Sequence, residues 1–117
     1  MADFPEISEV LRLLGIGGNY SGHRLTAAGV ILTIKDPDRL LYVTNHLYWP
    51  VAQQHGCSWQ CVERAIRSAA KRAWERNPDY LKELARYPME KAPTASEFVD
   101  ILASHFLRRD VQPPSPR

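Results

Sequence analysis

The stretch from Ser58 to Asn77 constrains this chain more than any other. It reads as the longest helix, with Ser58 as the N-cap and Asn77-Pro78 as the stop. At ~100° per residue, Val62, Ala65, Ile66, Ala69 and Ala73 fall within one narrow arc. Gln60, Arg64, Arg67, Ser68 and Lys71 fall on the opposite arc, with no acid between them. One face is therefore suited to a core. The other presents two guanidiniums, an ammonium, an amide and a hydroxyl. The plain alternative is a solvated face in which Glu63 and Glu75 neutralise Arg67 and Lys71 at i,i+4 spacing.

Helical spacing governs the rest of the chain as well. Pro5 to Leu14 reads as a first helix, closed by Gly15 and a turn through Asn19. The glycines there serve the turn; a phosphate loop would need a preceding strand and a Lys-Ser/Thr pair. Ser21 is expected to cap a helix to about Lys35, burying Leu25, Ala28, Ile31 and Leu32. Pro37 opens a third helix carrying Leu40, Leu41, Val43, Thr44 and Leu47, which Pro50 interrupts before a short helix, Val51 to His55. Asp79 to Tyr87 forms another, and Thr94-Ala95-Ser96-Glu97 is a capping box for the last. The expectation is an all-α domain of about six helices over residues 1–109. The tail 110–117, with three prolines, is expected to be frayed.

Composition supports one compact unit: 117 residues, 44% hydrophobic and 24% charged, fit a single core. No apolar run reaches the roughly 20 residues of a membrane span. The N-terminus lacks the basic start and apolar stretch of a secretory signal, so a cytoplasmic protein is expected. The net charge of +2 proves no partner, but its distribution is uneven. Within Ser58 to Asn77, five basic residues face two acids, leaving a local basic stripe.

The residues before that stripe meet the local demands of a helix-turn-helix, placed at about 51–77. Ala52 is small where the first helix crosses the second. Gly56 tolerates positive φ in the turn, and Val62 is the apolar pin of the second helix. Arg64 and Arg67 are suited to grip guanine in a bidentate fork, and Gln60 to do the same for adenine. Ser58, Ser68, Lys71 and Arg72 are placed for phosphates, and Glu63 for tuning the base contacts.

Val62-Glu63-Arg64-Ala65-Ile66-Arg67, followed by Ala73-Trp74, resembles the recognition helix of the sporulation master response regulator of spore-forming Firmicutes. Leu14-Gly15-Ile16, Leu47-Tyr48-Trp49-Pro50 and Pro93-Thr94-Ala95-Ser96-Glu97-Phe98 match other motifs of the same DNA-binding effector domain, stage 0 sporulation protein A, in the same order. The similarity spans about residues 7 to 108. It implies a six-helix domain that binds duplex DNA, often as tandem copies on adjacent boxes, with base contacts carried over to Glu63, Arg64 and Arg67. Gln60-Cys61 replaces the family's Ser-Arg, and Ser68 replaces a His, so the family's TGTCGAA-like box does not transfer directly. The family's regulator also carries a receiver domain, for which 117 residues leave no room. A stand-alone relative or an excised domain is expected.

Rival chemistries are thinner. His55, Cys57 and Cys61, with His46 or Glu63 as a fourth group, meet zinc-ligand spacing only loosely, and small packed thiols are the simpler reading. A thiol switch would draw on a helix N-terminus and Arg64 to lower a cysteine pKa. On a shared helix, however, the two cysteines would sit near the upper limit of disulfide geometry. The histidines at 23, 46, 55 and 105 form no catalytic pattern, and capping accounts for Asp36 and Asp38. No enzyme activity, cofactor or metal is expected. The competing function is a protein-interaction module that has lost DNA binding, anchored by Trp49, Trp59 and Trp74.

Overall fold

The structure is a computed structural model that describes residues 3–110. Its described residues form six α-helices: α1 Phe4–Leu13, α2 Ser21–Lys35, α3 Trp49–His55, α4 Trp59–Arg76, α5 Pro78–Ala85 and α6 Ala95–Asp110. The expected all-α architecture is what is found. The proline-rich tail, residues 111–117, lies outside the described residues, and α6 reaches Asp110.

The helix ends follow local chemistry. Asp3 caps α1 in a reciprocal box with Glu6. The Thr94–Glu97 box forms as expected: the Thr94 amide donates to Glu97 Oε1 at 2.8 Å, and the Glu97 amide to Thr94 Oγ1 at 3.2 Å. Asn77 ends α4 and also begins α5, its Oδ1 accepting from the Tyr80 amide while its Nδ2 donates to the Leu13 carbonyl at 2.9 Å. Ser21 is not a cap. Tyr20 holds that position without a side-chain hydrogen bond, and Ser21 is the first helical residue.

Two core expectations are corrected. In α2 the buried stripe is Leu25, Ala27, Val30 and Ile34; Ala28, Ile31 and Leu32 are only half-buried. The reason is position: α2 packs against both α4 and α6, so its buried surface covers two sides and the simple amphipathic arc shifts. The third helix is not an α-helix. Pro37–Tyr42 is a 3-10 turn and Thr44–Tyr48 a π-type turn running into α3, and Leu41 is 72% exposed.

Pro50 follows closely on the π-type turn. Lacking an N–H, it cannot donate to the His46 carbonyl four residues back. Arg39 takes the place of the missing donor, its NH1 reaching the His46 oxygen at 2.7 Å. The Trp49 amide meanwhile bonds back to Thr44, the longer spacing of a π-turn.

The core joins all six helices, with Phe98 and Phe106 of α6 and Ile66 of α4 fully buried. His23 is the buried polar exception. Its Nδ1 donates to the Ile16 carbonyl at 3.0 Å, and in the neutral ring Nε2 accepts from Ser8 Oγ at 2.7 Å. Both ring nitrogens are satisfied, so His23 locks α1 and its following turn onto α2.

Candidate nucleic-acid interface

The turn between α3 and α4 sets the orientation of everything on α4. Gly56 closes α3 in the left-handed region, at φ 67° and ψ 36°. The amides of Gly56 and Cys57 both turn back to the Ala52 carbonyl, the second at 3.1 Å. Ser58 then caps α4, its Oγ accepting from the Cys61 amide at 3.1 Å. Ala52 and Val62 are buried where the two helices cross. The three positions singled out in the sequence thus perform the tasks expected of them.

The far side of α4 is solvent-facing. Gln60, Arg64, Arg67, Ser68 and Lys71 are all exposed, while Val62, Ile66, Ala69, Ala70 and Ala73 are buried on the opposite face. Ala65 lies half-buried at the boundary. The Glu63–Arg67 pair does form, at a loose 3.7 Å with Arg67 still 59% exposed. Such a pair is worth a few tenths of a kcal/mol and yields readily to a stronger anion. Among the described residues, neither Arg64 nor Lys71 is held in an ion pair.

Arg72 is placed differently from its neighbours. It is half-buried, its Nε donates to the Gly15 carbonyl at 2.8 Å, and its guanidinium lies 5.2 Å from the centre of the Tyr20 ring. It braces α4 against the turn after α1. Gly22 makes a second close approach: a Cβ there would stand 2.8 Å from the Ala65 carbonyl oxygen.

These contacts bring the start of α2 beside the recognition face. Tyr20, Ser21, Cys61, Arg64 and Ser68 line one shallow cleft, of about 220 Å³. Arg24, His55, Cys57 and Cys61 share a larger neighbour of about 370 Å³. Arg24 and Ser21 were not among the sequence candidates, and no local pattern marks them. Only the packing of Gly22 on α4 brings a cation and a hydroxyl there.

Burial pushes the Cys57 thiol up, and the neighbouring Cys61 raises it further. Both cysteines are free, Cys57 half-buried and Cys61 exposed. Among the described residues, no three His, Cys, Asp or Glu side chains converge to hold a metal ion. Of the tryptophans, Trp59 and Trp74 are half-buried against the core, Trp74 under the Lys82 ammonium, and only Trp49 is exposed.

A helix-turn-helix whose second helix turns a basic, acid-poor face to solvent is a shape made for duplex DNA. Comparison with known families agrees: residues 7–106 match the family described as Sporulation initiation factor Spo0A C terminal. The chain belongs to that family. A Spo0A C-terminal domain is a DNA-binding effector domain of a sporulation regulator, and the all-helical fold described above is consistent with it. Among the described residues, no helix is long and apolar enough to cross a membrane. The match spans the whole helix-turn-helix of this Spo0A-type domain, together with α2 and most of α6.

Proposed function

We propose that this domain regulates transcription by inserting α4 into the major groove of specific duplex sites. The carrying observation is the continuous exposed row Gln60, Arg64, Arg67, Ser68 and Lys71, held by a buried opposite face. Rigid support matters because a bidentate arginine-to-guanine fork discriminates only if the helix cannot roll. Arg64 and Arg67 read base edges. Gln60 contributes an amide to the same reading, and Glu63 tunes it by holding Arg67 at 3.7 Å.

Phosphate contacts come from Ser58 at the helix start and from Ser68 and Lys71 along it. Arg72 belongs with them through the placement of α4: by bracing the helix on Gly15 it fixes the height at which Lys71 meets the backbone. Tandem boxes would bring a second copy alongside the first, as members of this family are expected to bind. No catalytic step or cofactor enters this reading.

Fluorescence anisotropy on duplex DNA tests it, using tandem family-like boxes and a scrambled control at low and near-physiological salt. Box-selective binding that survives added salt is the expected result. Salt-labile binding to both probes would mean a different target, to be found by unbiased site selection. No binding at low salt would transfer the function to a protein partner.

A further inference from the structure

Cys57 and Cys61 are four apart, a spacing that within one helix strains a disulfide. In the fold the two do not share one helix. Only Cys61 is helical; Cys57 precedes the Ser58 cap, in the turn whose amide bonds back to Ala52. Ser58 Oγ accepts from the Cys61 amide at the start of α4, and both cysteines line the same cleft beside Arg24 and His55. Cys61 also borders the second cleft, next to Arg64 and Ser68.

We infer that Cys57 and Cys61 form a reversible dithiol–disulfide site at the start of the recognition helix, oxidised by low-molecular-weight disulfides, and that closing it weakens DNA binding. The inference rests on the DNA-binding reading for its second half only. Accessibility sets the order of events. Exposed Cys61, as thiolate, attacks one sulfur of the small disulfide; a mixed disulfide forms and one small thiolate leaves, taking up a proton. Cys57, half-buried beside it, is the resolving thiol. After losing its proton to solvent it attacks Cys61 Sγ, forming the intramolecular bond and expelling the second small thiol. Two protein thiols are oxidised, and one small disulfide is reduced to two thiols. The raised Cys57 thiol fits the second, resolving role rather than the first.

The consequence for recognition is geometric. Cβ atoms joined by a disulfide stand about 3.8 Å apart. Drawing Cys57 onto Cys61 acts across the Ser58 cap, at the turn that carries Gln60 and leads into Arg64. The reduced form keeps the cap and the reading face; the oxidised form shifts them.

The reduced domain is equilibrated with mixtures of reduced and oxidised glutathione, then followed by intact mass, by amide NMR shifts and by DNA anisotropy. The expected wild-type product is about 2 Da lighter, without an adduct. The Cys57→Ser variant should instead accumulate a single glutathione on Cys61, trapping the intermediate. Amide shifts should move over residues 57–64. Affinity for the selected site should fall about ten-fold or more, comparable to losing one base-reading arginine, while Cys57→Ser/Cys61→Ser stays insensitive. A wild-type protein that stays reduced, stops at the glutathione adduct or cross-links between molecules overturns the site. A disulfide that leaves both the amide shifts and the affinity unchanged overturns the switch. If the reduced protein binds no DNA, the mass and NMR results still decide the disulfide, and the DNA-binding reading alone fails.

Discussion

Arg72 Nε donates to the Gly15 carbonyl, 57 positions away in sequence, at 2.8 Å. This bond joins the recognition helix to the turn after α1, and the Tyr20 ring lies beneath the same guanidinium. Arg72→Ala removes a charge-assisted hydrogen bond and leaves a part-buried carbonyl without it. The expected loss is about 1–3 kcal/mol of unfolding free energy, measured by urea denaturation. Unchanged stability with a DNA defect would reassign Arg72 to a direct phosphate contact.

Arg64 and Lys71 lie on one exposed face but are assigned different tasks, so their alanine variants should differ in kind. Arg64→Ala should cost about 1–3 kcal/mol on the selected site and relax preference at one base position. Lys71→Ala should weaken all sequences about equally and shallow the salt slope by about one unit. Equal losses on cognate and scrambled DNA for Arg64→Ala would remove its base-reading role.

Two glycines near the recognition helix are needed for different reasons. At Gly56 a Cβ would meet nothing within 4 Å, so Gly56→Ala suffers only from φ 67°, about 1–2 kcal/mol. At Gly22, in the first turn of α2, helix propensity favours alanine by less than the roughly 1 kcal/mol of a helix interior. Against that stands the Ala65 carbonyl at 2.8 Å, which moves only if α4 moves. Overpacking of this kind costs about 1–3 kcal/mol, so Gly22→Ala should destabilise despite its better propensity. A raised melting temperature would show that α2 and α4 separate freely.

Burial holds the His105 pKa below its usual value, with Arg108 and then Arg109 adding to the shift. A depressed histidine means that the unfolded chain binds the proton more readily than the folded one. Its contribution is present above the unfolded value, about 6.5, and is lost as pH falls through the lower folded value. Stability of the wild type should therefore drop more steeply than that of His105→Gln over this acidic window. Parallel stability profiles from chemical denaturation at a series of pH values would discount it.

Tyr48 is pushed up to about 12, first by burial and then by the Glu63 carboxylate. Here the neutral phenol is favoured in the fold, so the contribution is present below about pH 10 and fades as pH rises through the folded value. Glu63→Gln should bring the phenolate absorbance transition down, since it removes the nearby negative charge and leaves the burial. An unmoved transition would place burial as the whole cause.

The local chemistry of this protein is written in its sequence. Gly56 must close α3 because it alone tolerates the left-handed turn without strain, Ser58 must cap because its oxygen reaches the Cys61 amide, and the arc of Val62, Ile66, Ala69 and Ala73 fixes which side of α4 faces inward. Each depends on neighbours within a few residues, so spacing is enough to predict it. What depends on distant partners is not legible in that way. The shifted stripe of α2 follows from packing against two helices, and Arg39 replaces the donor that Pro50 lacks. Only the tertiary structure draws Arg72 back to Gly15, brings Arg24 beside the recognition helix and folds Cys57 into the cleft of Cys61. Side-chain periodicity records which face is apolar; it carries no record of which remote carbonyl, ring or thiol that face will meet.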